Sequence, residues 1–436
     1  MKYKFKNKYI VAAALMLVAT VGCKKDFDNP NAASTPEVFS SPKGMMGALV
    51  GAQRIMSMTI VPQMISSNAL TTGEAIVVNV GNLSEANLVA GGASVDGNNG
   101  ILGSLWISNC KVIFEADNVL RSAPTVGDAN YRSGLIAYAS ILKANALGNL
   151  SMYWEQVPDT VGAPVTSPTR FIPRAQGFTK AIAILDNAIA AVTANAPNAS
   201  FNNDLPAGLN LVNTLQALKA RYSLYTGNFS AALAAANTVS TTVTSTWNFD
   251  ALNPNQVFIN VTASGNVYQP VDSTLGLPAS IAPALTDARV SFYTQLIPTA
   301  TPRYRMRGFF TATTTAIPVY LVDEMRLIRA ECLVRQSSPD LTGAKALIDQ
   351  VLQQVGTADA NGVGANIAAG YTGTVDAPSL LTEIYRNRCI ELFMSGLKLE
   401  DMRRFGRPTS ERRRNFFPYP FRERDNNPNT PADPAF

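Results

Sequence analysis

Not one of the 436 residues is histidine. That absence removes Ser-His-Asp and Cys-His relays, histidine-ligated zinc and any imidazole switch near neutral pH. Cysteine is scarce, with Cys23, Cys110, Cys332 and Cys389 the whole complement. Cys332 and Cys389 fall within helix-like apolar patterns and read as buried thiols, so a disulfide framework is not expected. One pairing among the last three cysteines stays open in an oxidising compartment. Phosphate loops, zinc-ligand spacings and dinucleotide fingerprints are missing, and no cofactor or metal is implied. Adjacent carboxylates occur at Asp323-Glu324 and Glu400-Asp401. Neighbours on a helix point in different directions, so neither pair makes a shared catalytic site. Binding is therefore expected rather than catalysis.

The chain also lacks a real excess of positive charge. Its formal +5 includes Lys2, Lys4, Lys6 and Lys8 at the extreme N-terminus. Without residues 1–22 the net charge is close to neutral, and no nucleic-acid partner is implied. Those lysines precede the apolar run from Ile10 to Gly22, which is too short to span a bilayer as a stable helix. A basic start, a short apolar stretch and a small residue before Cys23 describe a secretory signal peptide over 1–22. A cysteine directly after the cut points to a bacterial lipoprotein acylated at Cys23, although Thr20 stands where such signals usually carry Leu. Several acyl chains at ~0.8 kcal/mol per buried methylene hold a protein that one chain would hold only marginally. Residues 23–42 are polar and proline-bearing, a tether to a single folded domain over 43–436.

Helical periodicity then recurs. Phe178, Ala181, Ile182, Leu185, Ala188, Ile189 and Val192 share one face. Leu215, Leu218, Tyr222 and Tyr225 make a second stripe, stopped by Gly227-Asn228 and followed by Phe229, Leu233, Ala236 and Val239. Stripes return at Leu321–Cys332, at Leu341–Val355 after a Ser-Ser-Pro-Asp break, and at Leu381–Phe393. Hairpins such as Leu211–Tyr225 with Phe229–Val239 are degenerate repeats of the tetratricopeptide kind. Long irregular stretches are expected over 60–100, 155–173, 241–317, 356–378 and 405–436, with a short strand at Ala75–Val80.

The C-terminal part carries a family resemblance. Thr382-Glu383-Ile384-Tyr385-Arg386-Asn387-Arg388-Cys389-Ile390-Glu391-Leu392, then Ser395-Gly396 and Asp401-Met402-Arg403-Arg404-Phe405-Gly406, resemble the RagB/SusD family. Its helix characteristically reads Glu-Arg-x-x-Glu-Leu, then Glu-Gly, then Asp-Leu-Arg-Arg. Phe417-Pro418-Tyr419-Pro420 and Asn426-Asn427-Pro428-Asn429 are similar to its terminus, and Lys143–Leu147, Leu215–Tyr222, Asp287–Arg289 and Tyr320–Val334 resemble earlier segments in order. Asn387 and Ser395 depart from its usual glutamates. The resemblance implies a mostly α, SusD-like fold of degenerate helical repeats with long irregular loops and a few short strands. It further implies an outer-membrane lipoprotein facing the cell exterior, which binds a nutrient such as an oligosaccharide and partners a TonB-dependent, SusC-like transporter. Lys24-Lys25-Asp26-Phe27-Asp28 after the anchor resembles the export signal of such lipoproteins, or is simply solvated tether.

Sugar recognition needs flat aromatic faces with amides, acids and arginines fixing hydroxyls. Loop-like sequence offers Trp154, Trp247, Phe258, Tyr268, Tyr293 and Tyr304, with Asn79, Asn82, Asp96, Asn98 and Asn99 as polar partners. Trp106 shares a helical stripe with Ile113 and Leu120 and is assigned to the core. The C-terminal arginines are interleaved with acids, so internal ion pairing is expected, with Arg388 and Glu391 binding their helix to its neighbours and Glu400 one turn from Arg404. Arg412-Arg413-Arg414 has fewer acids nearby and is a candidate to face the transporter or the membrane-proximal lipopolysaccharide phosphates. The competing reading is a lipid-anchored scaffold whose repeats hold other proteins and which has no glycan site.

Overall fold

A computed structural model describes residues 35–162, 167–262 and 265–436; Cys23 and most of the tether lie outside the described residues. The body is a succession of helical hairpins. The Gly100–Ser122 helix packs on Ala129–Tyr153, which packs on Arg174–Ala194, then Leu211–Tyr225 and Phe229–Thr238. Val322–Arg335 continues the stack, paired with Leu341–Gln353 and covered by Ala377–Glu391. Each helix buries its stripe mainly against a neighbour in sequence, which is how a repeat scaffold accumulates one continuous core. Polar side chains start many of these helices: Asn99, Asp128, Asn210, Asn228, Asp340 and Asp376 each accept from a backbone amide in the first turn.

Ala129–Tyr153 is the spine. It is buried on almost every side, so it has no clear apolar face. Small residues let its neighbours approach: a Cβ on Gly148 would lie 2.2 Å from the Tyr222 ring. Tyr222 is fully buried there, stacked on Phe178 with centroids 5.7 Å apart.

The expected irregular regions are more ordered than their composition suggests. Pro42–Ile55 runs into Val61–Thr72 through a widened turn, Met56–Ile60, in which the Val61 amide donates to the Met56 carbonyl. Pro62 follows at once. Its ring would press on the carbonyl four residues earlier in an unbroken helix, and the extra residue per turn relieves that contact. Residues 60–72 and Leu83–Ala90 are therefore helical, not loop. Four two-stranded antiparallel ladders pin the rest: Ala75–Val77 with Tyr268–Pro270, Gln156–Pro158 with Phe171–Pro173, Thr246–Trp247 with Ile317–Pro318, and Thr294–Leu296 with Tyr304–Met306. The expected strand at 75–80 ends three residues early.

Internal ion pairing holds, with partners that differ in part. Arg221 grips Glu324 through two bonds of 2.6 Å. Arg388 donates to Asp401 at 2.8 Å, and Arg404 bridges Glu331 and Asp401. Glu400 pairs with Arg403 and Arg174 and not with Arg404. Glu391 is held by Arg289, which also binds Asp287 and Asn387. Arg414 is buried and donates to the carbonyls of Gly92, Phe416 and Pro434, so only Arg413 of its run is exposed. Cys110, Cys332 and Cys389 are all free thiols.

Two predictions follow from this packing. Alanine normally favours a helix over glycine by about 1 kcal/mol. Gly148→Ala should instead destabilise by roughly 1–3 kcal/mol, because its methyl meets the Tyr222 ring; urea unfolding would contradict this if the variant were as stable as the parent. Asp323 is buried with Oδ2 unpartnered among the described residues, although it pairs with Arg326. Burial, helped by the Asp359 charge, pushes its carboxyl up to about 6 against the pull of Arg326 and Arg289. A raised acid favours the folded state when protonated. Its stabilising contribution is present below the unfolded value of 3.8 and is lost as pH rises through about 6. Asp323→Asn should flatten the fall in unfolding free energy across that window, and an unchanged slope would show that Asp323 is not its source.

Candidate functional site

The three tryptophans all face inward. Trp106 meets Trp154 edge-on at 4.9 Å, stacks on Phe171 at 6.0 Å and meets Tyr419 edge-on at 5.7 Å. Tyr153 stacks on Phe417 at 5.4 Å. Trp154 Nε1 donates to the Pro418 carbonyl at 2.9 Å, and the Tyr419 hydroxyl accepts from the Gln156 amide at 3.0 Å. This aromatic cluster clamps segment 416–420 onto the Gly100–Ser122 and Ala129–Tyr153 helices. Trp106 is core, as the stripe predicted.

The other sequence-proposed aromatics divide by depth. Trp154, Trp247, Tyr268 and Tyr293 are at most 2% exposed and offer no ring face to a solute. Trp247 and Tyr268 sit on the short ladders, which turn residues of apparent loops into the core. Tyr293 donates its hydroxyl to the Glu391 carbonyl. Phe258 and Tyr304 are half-buried. Trp247 and Tyr293 do line a narrow crevice with the Arg221–Glu324 pair, but its volume is about 60 Å³. At about 30 Å³ per water, that space suits solvent and not a sugar ring.

Asn98 lies elsewhere, in an open cleft of about 460 Å³ between the start of the Gly100–Ser122 helix and the Phe421–Asn426 helix. Asn99 lines the same cleft, but its Oδ1 caps the Ile101 and Leu102 amides and its Nδ2 donates to the Ser84 carbonyl. Asn98 is exposed, anchored by its backbone amide to Asp96 Oδ1 at 2.9 Å. Across the cleft stand Phe421, 53% exposed, and Arg422. The Phe421 amide donates to the Gly97 carbonyl at 2.9 Å, and a Cβ on Gly97 would lie 2.6 Å from the Tyr419 carbonyl oxygen. Only glycine admits that approach. Ile107 adds apolar wall, while Ser104 accepts from Gln63 at 2.8 Å. Asn79 and Asn82 share a turn of their own and do not line this cleft.

The arrangement combines an exposed ring, an aliphatic wall and amide, hydroxyl and guanidinium groups. That set suits a polyhydroxylated ring with an apolar C–H face. Burial pushes the Cys110 thiol up, and the Cys332 and Cys389 thiols up to about 12, which keeps them protonated. Among the described residues no group of acids and cysteines could hold a metal ion.

Solved structures share this architecture. A SusD superfamily protein from Bacteroides thetaiotaomicron superposes with a TM-score of 0.72 at 15% identity, covering 90% of this chain and 100% of that one. The fold is that of the SusD superfamily. A SusD-like carbohydrate-binding protein from Bacteroides fragilis gives 0.67 at 14% identity over 90% and 99% of the two chains. A laminarin-binding SusD-like protein gives 0.64 at 15% identity over 91% and 99%. No protein-family model matches the sequence, and no curated protein is similar to it by sequence. The mostly α, SusD-like fold expected from the helical stripes and the C-terminal motifs is thus the fold observed.

Sequence reading missed Phe421, Arg422 and Ile107. The alternation Phe417-Pro-Tyr419-Pro-Phe421 marks an extended segment, yet Phe417 and Tyr419 are buried while Phe421, where the chain turns helical, is not. Phe421→Ala and Asn98→Ala should each weaken retention by soluble polysaccharides roughly three- to tenfold, the worth of one ring or amide contact. Both residues are exposed, so thermal stability should not move. Affinity electrophoresis showing unchanged retardation for both variants would remove the cleft from consideration.

Proposed function

We propose that this protein is a cell-surface lipoprotein, anchored in the outer membrane through Cys23, that binds a glycan and passes it to a TonB-dependent, SusC-like transporter. The observation that carries the reading is the open, mixed polar and aromatic cleft of about 460 Å³ on a SusD-like scaffold. Neighbours described as carbohydrate-binding and laminarin-binding support a sugar ligand. The protein acts without chemistry. Phe421 and Ile107 cover the C–H face of a sugar unit, Asn98 and Arg422 fix its hydroxyls, and release into the transporter completes the cycle.

The stacked helices give the cleft a rigid support; of the tether expected over 23–42, Thr35–Val38 is helical and Phe39 packs on the core, so the anchor at Cys23 acts through what precedes residue 35. Purification from intact membranes under mild detergent should recover a TonB-dependent barrel with the protein. Cys23→Ala should move it to the soluble fraction and lose the barrel. Recovery of soluble partners alone, or a Cys23→Ala protein that stays with the membrane, would sink the reading.

A further inference from the structure

A second cleft, of about 280 Å³, opens where the Pro42–Ile55 helix widens into the Met56–Ile60 turn. Widened turns of this type concentrate at functional positions in helices. Val50, Gln53, Arg54 and Ser57 form one stripe at helical spacing and line one wall; Asn248, Phe249 and Asp250 line the other. Gln53 is 92% buried by its 8% exposure, and its Oε1 accepts the Tyr138 hydroxyl at 2.5 Å. Its Nε2 has no partner among the described residues. Arg54 is exposed; its carbonyl accepts from the Ser57 hydroxyl at 3.3 Å, and its guanidinium makes no hydrogen bond or ion pair among the described residues.

Asp250 is held in a tight turn, its Oδ1 accepting from the Leu252 and Asn253 amides at 2.8 Å each. The Asn253 side-chain amide, these backbone donors and, last, the Arg54 charge hold its carboxyl below the usual range. The Asn253 side-chain amide also reaches both carboxylate oxygens, at 2.9 and 3.1 Å, so the cleft carries an unpaired guanidinium and a carboxylate whose spare capacity is on Oδ2. A charged ligand would meet repulsion from one of the two, and an apolar one would strand the polar groups. A neutral polyol satisfies both: its hydroxyls accept from Arg54 and Gln53 and donate to Asp250. The volume lies at the lower end of small-molecule sites, about 300 Å³ upward, which admits one sugar ring and not a chain.

We infer that the cleft at the widened turn binds a single neutral pyranose unit, with Arg54 and Gln53 as donors and Asp250 as acceptor. This rests on the reading of the protein as glycan-binding and adds a site separate from the one at Asn98 and Phe421. The test is saturation-transfer NMR on the full mature chain with D-glucose, D-galactose and D-mannose in turn. At least one hexose should receive saturation. Arg54→Ala and Asp250→Asn, both at exposed positions, should each lower it about tenfold, the worth of a charged hydrogen bond, while Phe421→Ala leaves it unchanged. No transfer to any hexose, or transfer that survives both substitutions, overturns the inference. Transfer lost in Phe421→Ala but kept in Arg54→Ala assigns the sugar to the other cleft and also overturns it. Retention by polysaccharide gels reports on the first site alone, so a failure there is seen separately.

Discussion

Glu400 takes hydrogen bonds from Arg403 in its own helix and from Arg174 at the start of a helix more than two hundred residues earlier, with almost no solvent around it. The next residue, Asp401, does the same for Arg388 and Arg404, and Arg404 reaches on to Glu331. Charges removed from water are costly, and a partner removed from such a set leaves another unpaired in low dielectric, at about 3–5 kcal/mol. The helical hairpins could stack as a solenoid without this network. What it adds is closure: the last helices are tied back onto the spine at fixed positions, and everything beyond residue 404 inherits its placement from that tie.

The candidate cleft depends on the closure through the aromatic clamp. With Arg403 donating to the carbonyls of Met152 and Asn415, segment 415–420 is delivered to the tryptophans. Trp106 and Trp154 hold it, and Phe421 emerges at the rim. The largest rings thus act one layer below the surface, positioning a smaller ring that meets solvent.

The fold was largely legible in the sequence because helical stripes are local statements. The stripes at 178–192 and 215–225 name their own buried faces and lie in observed helices, and the one at 341–355 does so as far as Gln353, beyond which Val355 is exposed. The helix over 61–72 escaped notice because Pro62 sits inside it and reads as a breaker. The site was hardly legible. Trp154, Trp247 and Tyr268 lie among turn-forming residues, and their burial is decided by partners far along the chain: Pro418, Ile317 and Val77. Asn98 is an expected polar partner from loop-like sequence, a local signal, and it lines the candidate cleft. Phe421 carries no such signal, since its exposure depends on where segment 416–420 docks.

Asn98 and Phe421 come from opposite ends of the described chain, and they meet through a single amide-to-carbonyl bond between Phe421 and Gly97. A chain emerging from its N-terminus completes the spine long before that bond can form. On the reading proposed above, the Asn98 cleft is therefore completed only once residue 421 has joined the spine, whereas the cleft at Arg54 and Asp250 is lined without it.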